Sequence, residues 1–192
     1  LKADEQLQRL SVHAATDQAL MQQVLDEAGK WVGDVVAPLS REGDEVGAQF
    51  ADGVVTTPPG FAAAYQDFWQ AGWPALACAQ EDGGQGLPWV LEGVLYEWLS
   101  AANHGWTMAP GLLHGAYECI KHHGSDALKA AYLPKVASGE WLATMCLTEA
   151  HAGSDLGMAR TQATPAGDSA LGERYEISGS KIFISGGEHD LS

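Results

Sequence analysis

Apolar residues recur at intervals of three and four along most of the first 139 residues, and this is the period of an amphipathic helix. The pattern predicts helices over residues 17–36, 58–72, 88–102, 112–123 and 126–132. Pro38 is expected to stop the first helix, and Pro134 to interrupt the turn after the last. Ser125 precedes the last helix and has the side chain of an N-cap. The Gly-rich segments between helices predict loops at 40–57 and 74–88.

Beyond Gly139 the spacing of apolar residues shortens from about 3.6 to about two, which is the period of a β-strand. Strands are predicted over residues 141–148, 174–178 and 181–185. Clusters of Gly, Pro, Asp and Ser predict turns at 165–168 and 178–180. The chain is therefore expected to be an α+β protein, with an all-α helical domain over residues 1–139 and the first part of a β-domain over residues 140–192.

The composition restricts the classes of partner. The chain has 192 residues, 46% of them hydrophobic, which is enough for a buried core. Its 25 Asp and Glu outnumber 10 Lys and Arg, and the net charge of −15 disfavours nucleic acid and anionic membrane surfaces. No apolar run reaches the ~20 residues that span a bilayer. The three cysteines contain no C-x-x-C pair, and no zinc-ligand spacing occurs. These features predict a soluble cytoplasmic protein with reduced thiols and no metal.

Some local patterns resemble catalytic motifs but fit a structural interpretation better. The Gly-rich loop at residues 81–89 lacks the Gly-Lys-Ser/Thr of a Walker loop, and it has Trp where a dinucleotide fingerprint has its third Gly. His122 and His123 are neighbours on a predicted helix, so their side chains point to different faces and cannot easily share a metal. Ser154 and Ser185 lie near glycines but not in a G-x-S-x-G elbow, which argues against a serine hydrolase.

The segment at residues 145–155 is the best candidate for chemistry. It reads Met-Cys-Leu-Thr-Glu-Ala-His-Ala-Gly-Ser-Asp, a strand-like stretch that runs into a turn of small and hydroxyl residues. Glycine lets a planar ring or a pyrophosphate approach the backbone closely, and free N–H groups can bind an anion. From the residues alone, a ligand-binding turn and an ordinary structural turn both stay open.

The same segment resembles the T-E-P-x-A-G-S-D signature of the acyl-CoA dehydrogenase family. The resemblance continues, in the family's order and spacing, through Thr161-Gln162-Ala163, Gly167-Asp168, Tyr175-Glu176-Ile177-Ser178-Gly179 and Lys181-Ile182-Phe183-Ile184-Ser185-Gly186-Gly187. Upstream, the 81–88 loop resembles the family's G-G-x-G loop, and the helices resemble its N-terminal helical domain. Ala150 stands where the family has Pro, which leaves the exit from the strand less rigid. The ending at residues 187–190, Gly-Glu-His-Asp, resembles a larger bacterial subgroup that includes methylmercaptopropionyl-CoA dehydrogenase.

The resemblance implies an FAD-dependent enzyme that oxidises an acyl-CoA thioester to the trans-2-enoyl-CoA, with a fatty acyl-CoA or 3-methylmercaptopropionyl-CoA as substrate. No side chain accepts a hydride, so a flavin carries that half of the chemistry. The residues implied to bind FAD are Met145, Cys146, Leu147, Thr148, Gly153, Ser154, Phe183, Ile184 and Ser185. Within this set, Thr148 and Ser185 are implied to hydrogen-bond to the ring and Phe183 to shield it. Gly153 and Ser154 are implied to lie near the phosphate-bearing arm, with Ser154 also bordering the acyl-CoA chain.

The resemblance places no catalytic residue in this chain. It implies that the β part begins a β-barrel-like middle domain, and that the base is a Glu in a C-terminal helical domain which this chain does not contain. Glu149 is given a structural role. The groups that hold CoA, and a partner subunit's share of the FAD site, are likewise expected downstream. A chain that starts at Leu1 rather than Met, and stops at Ser192 straight after a strand-like segment, is expected to be truncated at both ends.

The partners implied by the resemblance are an acyl-CoA, an electron-transfer flavoprotein or similar acceptor, and further copies of the chain in a homodimer or homotetramer. Alternative functions stay open: an acyl-CoA oxidase or a flavin monooxygenase on the same fold, or a non-catalytic helical interaction module. An oxidase and a dehydrogenase differ in whether oxygen or an electron-transfer partner reoxidises the flavin, and the motifs do not distinguish them.

Overall fold

A computed structural model describes residues 2–192 of the chain. Within that range the chain is mainly helical, with two antiparallel β-hairpins. The α-helices are α1 (Ala3–Leu7), α2 (Gln18–Trp31), α3 (Ser40–Val46), α4 (Phe61–Gln70), α5 (Trp89–Thr107), α6 (Leu113–His123) and α7 (Asp126–Ser138). The strands are β1 (Gln49–Ala51), β2 (Val54–Thr56), β3 (Gln162–Ser169) and β4 (Gly172–Ser178). The α+β class predicted from the sequence is confirmed.

An aromatic core lies where α2, α4 and α5 meet. Trp106 of α5 is 1% exposed, and its ring contacts that of Phe68 edge to face with centroids 5.4 Å apart. Its indole Nε1 donates to the carbonyl of Phe61 at 3.2 Å. Edge-to-face contact suits the charge distribution of aromatic rings and adds to the burial of apolar area. A second apolar cluster, mainly from α6 and α7, contains Cys78, Leu113, Tyr117, Leu133, Val136 and Ala137.

Side-chain caps begin two helices where the sequence predicts them. The Asp17 carboxylate accepts from the Leu20 N–H at 2.8 Å, and α2 then continues as a π-helix over Val32–Val36. The Ser125 hydroxyl accepts from the Leu128 N–H at 3.2 Å at the start of α7. Each cap satisfies a backbone donor that has no partner inside its helix. The predicted helix over residues 17–36 and the predicted Ser125 cap are therefore confirmed.

The loop predicted over residues 40–57 is wrong. Its first part forms α3, and Gly43 permits the close packing of this helix, since a Cβ there would lie 2.7 Å from the Phe61 ring. Its second part forms the β1–β2 hairpin, whose turn residues Asp52 and Gly53 have φ angles of 51° and 84°. Asp-Gly with two positive φ angles is the usual two-residue hairpin turn. Helix α3 depends on tertiary packing. The hairpin does have a local sequence signal, the Asp52-Gly53 pair, but the polar composition of the segment favoured the prediction of a loop.

Helix α5 runs five residues beyond its predicted end at residue 102. The predicted end lies next to a kink in the helix. Asn103 has non-helical angles, φ −158° and ψ 87°, so the helix is kinked there. The Asn103 side-chain oxygen accepts from the Trp106 N–H at 3.1 Å and starts the second piece as an N-cap does.

Helix α7 continues to Ser138 through Pro134, where an interruption was predicted. Proline removes one backbone hydrogen bond from a helix. Leu133, Val136 and Ala137 on either side of it are buried in the second apolar cluster. Packing therefore outweighs the lost bond, which is the usual source of helix stability in a folded protein.

The β region departs most from the prediction. Only the strand at residues 174–178 forms, as part of β4, and its partner β3 was not predicted. Residues 165–168, predicted as a turn, lie inside β3, where the register shifts, and the chain reverses at residues 170–171 instead. Residues 141–148 and 181–185 form no strand, because no backbone ladder pairs them within the described part of the chain. The division into domains at residues 139 and 140 stays a prediction.

Two further features concern residues 2–192 only. They contain no closed barrel, and both faces of the β3–β4 hairpin are largely exposed. None of their helices combines the length and the apolar character that crossing a membrane requires.

Candidate functional site

The structure brings together the two segments that the resemblance assigns to a flavin. The Ile182 N–H donates to the Thr148 carbonyl at 3.0 Å. The Lys181 Nζ donates to the Leu147 carbonyl at 2.9 Å. These bonds join stretches that are far apart in the sequence, without forming a regular ladder. The two stretches, called the paired segments below, are residues 144–148 and 181–185.

Glu149 is the electrostatic centre of the turn that follows the first paired segment. Its carboxylate accepts from the backbone N–H groups of Arg160 at 2.8 Å and Thr161 at 2.9 Å, and the residue is 3% exposed. The Lys181 Nζ donates to the same carboxylate at 2.9 Å. Hydrogen bonds from Thr161, from the Arg160 N–H and from Lys181 hold the pKa of Glu149 well below its usual range. The ionised carboxylate thus ties the turn to the start of β3 and to the second paired segment.

The turn at residues 149–157 is fixed at both ends and open in the middle. Glu149 and Ala152 exchange two backbone hydrogen bonds, each of 3.0 Å. The Asp155 carboxylate accepts from the Gly157 N–H at 3.2 Å. Between these points Gly153 is exposed, and a Cβ there would meet nothing within 4 Å. The described part of the fold does not itself require glycine at residue 153, so the small residue leaves the backbone accessible to a ligand.

Apolar side chains of the paired segments face outward instead of entering the core. Met145 is 58% exposed, Leu147 is 42% exposed and Phe183 is 86% exposed. Apolar side chains grouped on a surface are typical of binding sites. Phe183 also has a φ of 56°, in the left-handed region that non-glycine residues seldom adopt and that is often found at functional sites.

Backbone donors lie beside these apolar side chains. Within residues 2–192 no carbonyl accepts from the N–H groups of Met145, Cys146, Leu147 or Thr148, and the Thr148 hydroxyl has no hydrogen-bond partner. Backbone N–H groups that leave water need a partner, so covering this surface requires acceptor atoms. A planar ring with polar edges supplies both apolar area and acceptors. The donors and apolar side chains present therefore fit the isoalloxazine ring of a flavin.

The Gly-rich loop at residues 81–88 has a structural explanation. A Cβ on Gly84 would lie 2.0 Å from the Cys78 carbonyl oxygen, so only glycine fits there. The Asp82 carboxylate accepts from the Tyr117 hydroxyl at 2.6 Å and from the Lys121 Nζ at 2.7 Å, which holds the loop on α6. This geometry agrees with the tight loop predicted from the sequence.

A cavity adjoins the residues that follow the second paired segment. It has a volume of about 850 Å³ and lies between α3, the kink of α5 and residues 186–191. None of the residues assigned to FAD lines it. Asn103 borders it, is 5% exposed, and has a side-chain nitrogen without a partner in the described part of the chain.

Sequence reasoning missed the residues that hold the site and the helices in place. Lys181 belongs to a quoted motif but received no role, although it bridges the paired segments. His114 and Glu92 form a largely buried pair between α6 and α5, with His114 Nδ1 and Glu92 Oε1 2.8 Å apart. Burial opposes the charged form of His114, but the hydrogen bond and charge of Glu92 outweigh it and raise the His114 pKa. These contacts join different helices or loops, so the spacing of residues within one element does not predict them.

Comparison with known proteins agrees with the motif. The chain matches the family model described as acyl-CoA dehydrogenase, N-terminal domain, over residues 19–140. That match covers more than half of the chain, and the chain belongs to the acyl-CoA dehydrogenase family.

Individual relatives extend the comparison. The chain is 44% identical over 168 residues to 3-methylmercaptopropionyl-CoA dehydrogenase of Ruegeria pomeroyi, in a match covering 88% of this chain and 28% of that protein. Its fold resembles butyryl-CoA dehydrogenase from Megasphaera elsdenii, with a TM-score of 0.72 and 23% identity over 87% of this chain and 41% of the other. It also resembles an acyl-CoA dehydrogenase complexed with FAD from Bacillus anthracis, with a TM-score of 0.68 and 24% identity over 88% and 27% of the two chains. The chain thus spans under a third of the curated relative's length.

Proposed function

We propose that the protein containing this chain is an FAD-dependent dehydrogenase that converts an acyl-CoA to the trans-2-enoyl-CoA. The observation that carries the proposal is the pairing of residues 144–148 with 181–185, which presents outward apolar side chains beside free backbone donors. Family membership and the relative complexed with FAD support it. When bound, FAD supplies the hydride acceptor that no side chain can provide.

In the proposed mechanism, the residues of this chain bind and orient FAD and the acyl-CoA. The backbone of Met145 to Thr148 and the hydroxyls of Thr148 and Ser185 act as donors at the ring's edge. Phe183 would shield the bound ring from water and oxygen. The open turn at Gly153 and Ser154 would hold the phosphate-bearing arm, and Ser154 would also border the acyl-CoA chain. Cys146, Leu147 and Ile184 complete the contacts with the ring.

Substrate, acceptor and assembly are part of the same proposal. The identity to 3-methylmercaptopropionyl-CoA dehydrogenase supports 3-methylmercaptopropionyl-CoA, or a fatty acyl-CoA, as the substrate. Following the family resemblance, the base that removes the α-proton is proposed to be a Glu outside this chain, and Glu149, whose carboxylate is held by its donors, is proposed to have a structural role. An electron-transfer flavoprotein or a similar acceptor is proposed to reoxidise the enzyme, which is proposed to act as a cytoplasmic homodimer or homotetramer.

A flavin titration of the full-length protein tests this function. The purified protein should be yellow, and its visible flavin absorption should bleach on addition of an acyl-CoA. Titrating 3-methylmercaptopropionyl-CoA beside straight-chain acyl-CoAs of increasing length identifies the preferred substrate. A protein that stays colourless after addition of FAD would instead favour the helical interaction module, and rapid reoxidation by oxygen alone would favour the oxidase.

Replacing Thr148 by valine should change the redox behaviour of the flavin while keeping the fold. The substitution removes one hydroxyl donor and preserves the shape of the side chain. One lost hydrogen bond amounts to about 1 kcal/mol, or a shift of about 20 mV in the two-electron midpoint potential. Spectroelectrochemistry of the full-length protein measures the shift. Thr164→Val, on the exposed strand β3, is the matched control and should leave the potential unchanged. Equal potentials in Thr148→Val and the control would remove Thr148 from the site.

Replacing Phe183 by alanine should raise turnover with oxygen relative to an artificial acceptor. Phe183 is 86% exposed, so the change should alter stability by no more than about 0.5 kcal/mol, far from the about 3 kcal/mol of a buried Phe. Phe50→Ala in the β1–β2 hairpin is the matched control, because Phe50 is 74% exposed. Steady-state rates with both acceptors check this, and an unchanged ratio would make Phe183 an ordinary surface residue.

A further inference from the structure

The segment that follows the second paired segment returns to the helices. Within this segment, which comprises residues 186–192 and is called the strap, Leu191 is 3% exposed and packs in the aromatic core of α2, α4 and α5. Its carbonyl accepts from the Gln66 Nε2 at 3.4 Å. The chain therefore leaves the proposed flavin surface and is inserted into the helical part within a few residues.

Asp190 fixes the strap at one corner of the helical part. Its Oδ1 accepts from both the backbone N–H of Thr57, at 3.1 Å, and the hydroxyl of Thr57, at 2.5 Å. Thr57 directly follows the end of β2 and lies four residues before the start of α4. Asp190 forms no ion pair with any residue of the described chain, so Thr57 is its partner there. Hydrogen bonds to an ionised acceptor are about twice as strong as those between neutral groups.

Hydrogen bonds hold the second paired segment near both of its ends. At one end, Ile182 donates to the Thr148 carbonyl, and at the other the Ser185 carbonyl accepts from the Thr144 hydroxyl before the strap begins. Between these points Phe183 is 86% exposed and has a left-handed φ. A conformation of this kind persists only when the surroundings impose it. The strap continues directly from Ser185 and adds a third attachment, through Asp190 and Leu191.

We propose that Asp190 is a positioning residue of the flavin site: by fastening the strap to Thr57, it holds residues 183–185 in the geometry that the FAD ring requires. The inference rests on the proposed function. Asp190 does not touch the ring, and it acts through the segment that does. The local motif at residues 181–187 does not reveal this role, because Thr57 is far from the motif in the sequence and most of the helical part lies between them.

Variants of the full-length protein test the proposal. Asp190→Ala removes the acceptor, Asp190→Asn keeps an acceptor oxygen, and Thr57→Val removes the hydroxyl donor alone. Asp17→Ala is the matched control, since Asp17 also accepts one backbone N–H, at the start of α2, but has no link to the strap. The readouts are the dissociation constant of FAD, the visible flavin spectrum, and hydrogen exchange of the Ile182 amide in the FAD-free protein.

Asp190→Ala is expected to weaken FAD binding about ten-fold, equal to about 1.4 kcal/mol, with a shifted flavin spectrum and faster exchange at Ile182. The FAD affinity of Asp190→Asn should stay near that of the wild type, and the affinity of Thr57→Val should lie between those of the wild type and Asp190→Ala. In the double variant Asp190→Ala, Thr57→Val, the loss of FAD binding free energy should be smaller than the sum of the two single losses. Asp17→Ala should lower stability but leave FAD affinity unchanged. The proposal is overturned if Asp190→Ala behaves like Asp17→Ala in all these readouts.

A wild-type protein that binds no FAD would overturn the proposed function instead. The exchange measurement still decides the anchoring in that case, because it uses the FAD-free protein. Faster exchange at Ile182 in Asp190→Ala supports the anchoring by the strap, and unchanged exchange overturns it.

Discussion

Replacing Trp106 by alanine is expected to lower the free energy of unfolding by about 3–5 kcal/mol, a large share of the stability of a domain of this size. Trp106 is 1% exposed and lies against Trp31, Tyr65 and Phe68, so its removal leaves a large cavity among rigid rings. It also removes the hydrogen bond that the indole donates to the Phe61 carbonyl, which adds to the loss.

Urea unfolding of the full-length protein, followed by Trp fluorescence and circular dichroism, measures this loss. Trp89→Ala is the matched control because it makes the same change on the same helix, α5, at a residue that is 57% exposed. The control should cost at most about 1 kcal/mol. Comparable losses in the two variants would contradict the placement of Trp106 at the centre of the core.

Replacing Glu149 by glutamine is expected to release the turn that the resemblance assigns to the cofactor and to abolish tight retention of FAD. Glutamine keeps one acceptor oxygen, but its NH₂ group would face an N–H donor of Arg160 or Thr161. The neutral side chain also leaves Lys181 without its charge partner. The loss of these contacts together should free both the turn and the second paired segment. The ratio of flavin to protein after gel filtration measures the loss.

The same variant should change the response of the protein to acid. The pKa of Glu149 is lower in the folded chain than the about 4.3 of an unfolded Glu. Its contribution to stability is therefore fully present above the unfolded pKa and is lost as the pH falls through the folded pKa. The wild type should exceed Glu149→Gln in stability at neutral pH, and the gap should narrow below about pH 4.3.

Thermal unfolding of the two proteins between neutral pH and acid checks this. Glu97→Gln is the matched control, because Glu97 is an exposed residue of α5 whose side chain has no partner in the described chain. It should follow the wild type at every pH. A gap between the wild type and Glu149→Gln that stays constant on acidification would show that the charge of Glu149 does not stabilise the turn.

Local features of the sequence predict much of the helical part. The spacing of apolar residues locates α2, α4, α5 and α6, and the side chains of Asp17 and Ser125 mark where two helices begin. These signals are reliable because capping and amphipathic burial act within one or two helical turns. Even the misplaced end of α5 at residue 102 coincides with the kink at Asn103. The motif at residues 148–155 likewise nominates the candidate site without reference to any distant residue.

Tertiary structure decides what local patterns cannot. An alternating pattern over residues 141–148 indicates a strand, but a strand needs a partner ladder, and within residues 2–192 none pairs with it. Helix α3 lacks a clear apolar face, and its close approach to Phe61 depends on Gly43. Pro134 stays helical because its neighbours are buried. In each case the deciding free energy comes from contacts with another element.

The candidate site divides in the same way. By itself, the sequence determined the kind of segment present, in which hydroxyl, glycine and apolar residues follow the order of a known family. Only the tertiary structure decided that residues 144–148 lie beside 181–185, that Glu149 collects donors from Arg160, Thr161 and Lys181, and that Asp190 reaches Thr57. The physical reason is that periodicity and capping are free energies of neighbouring residues, whereas these contacts join residues that are brought together only when the apolar core forms.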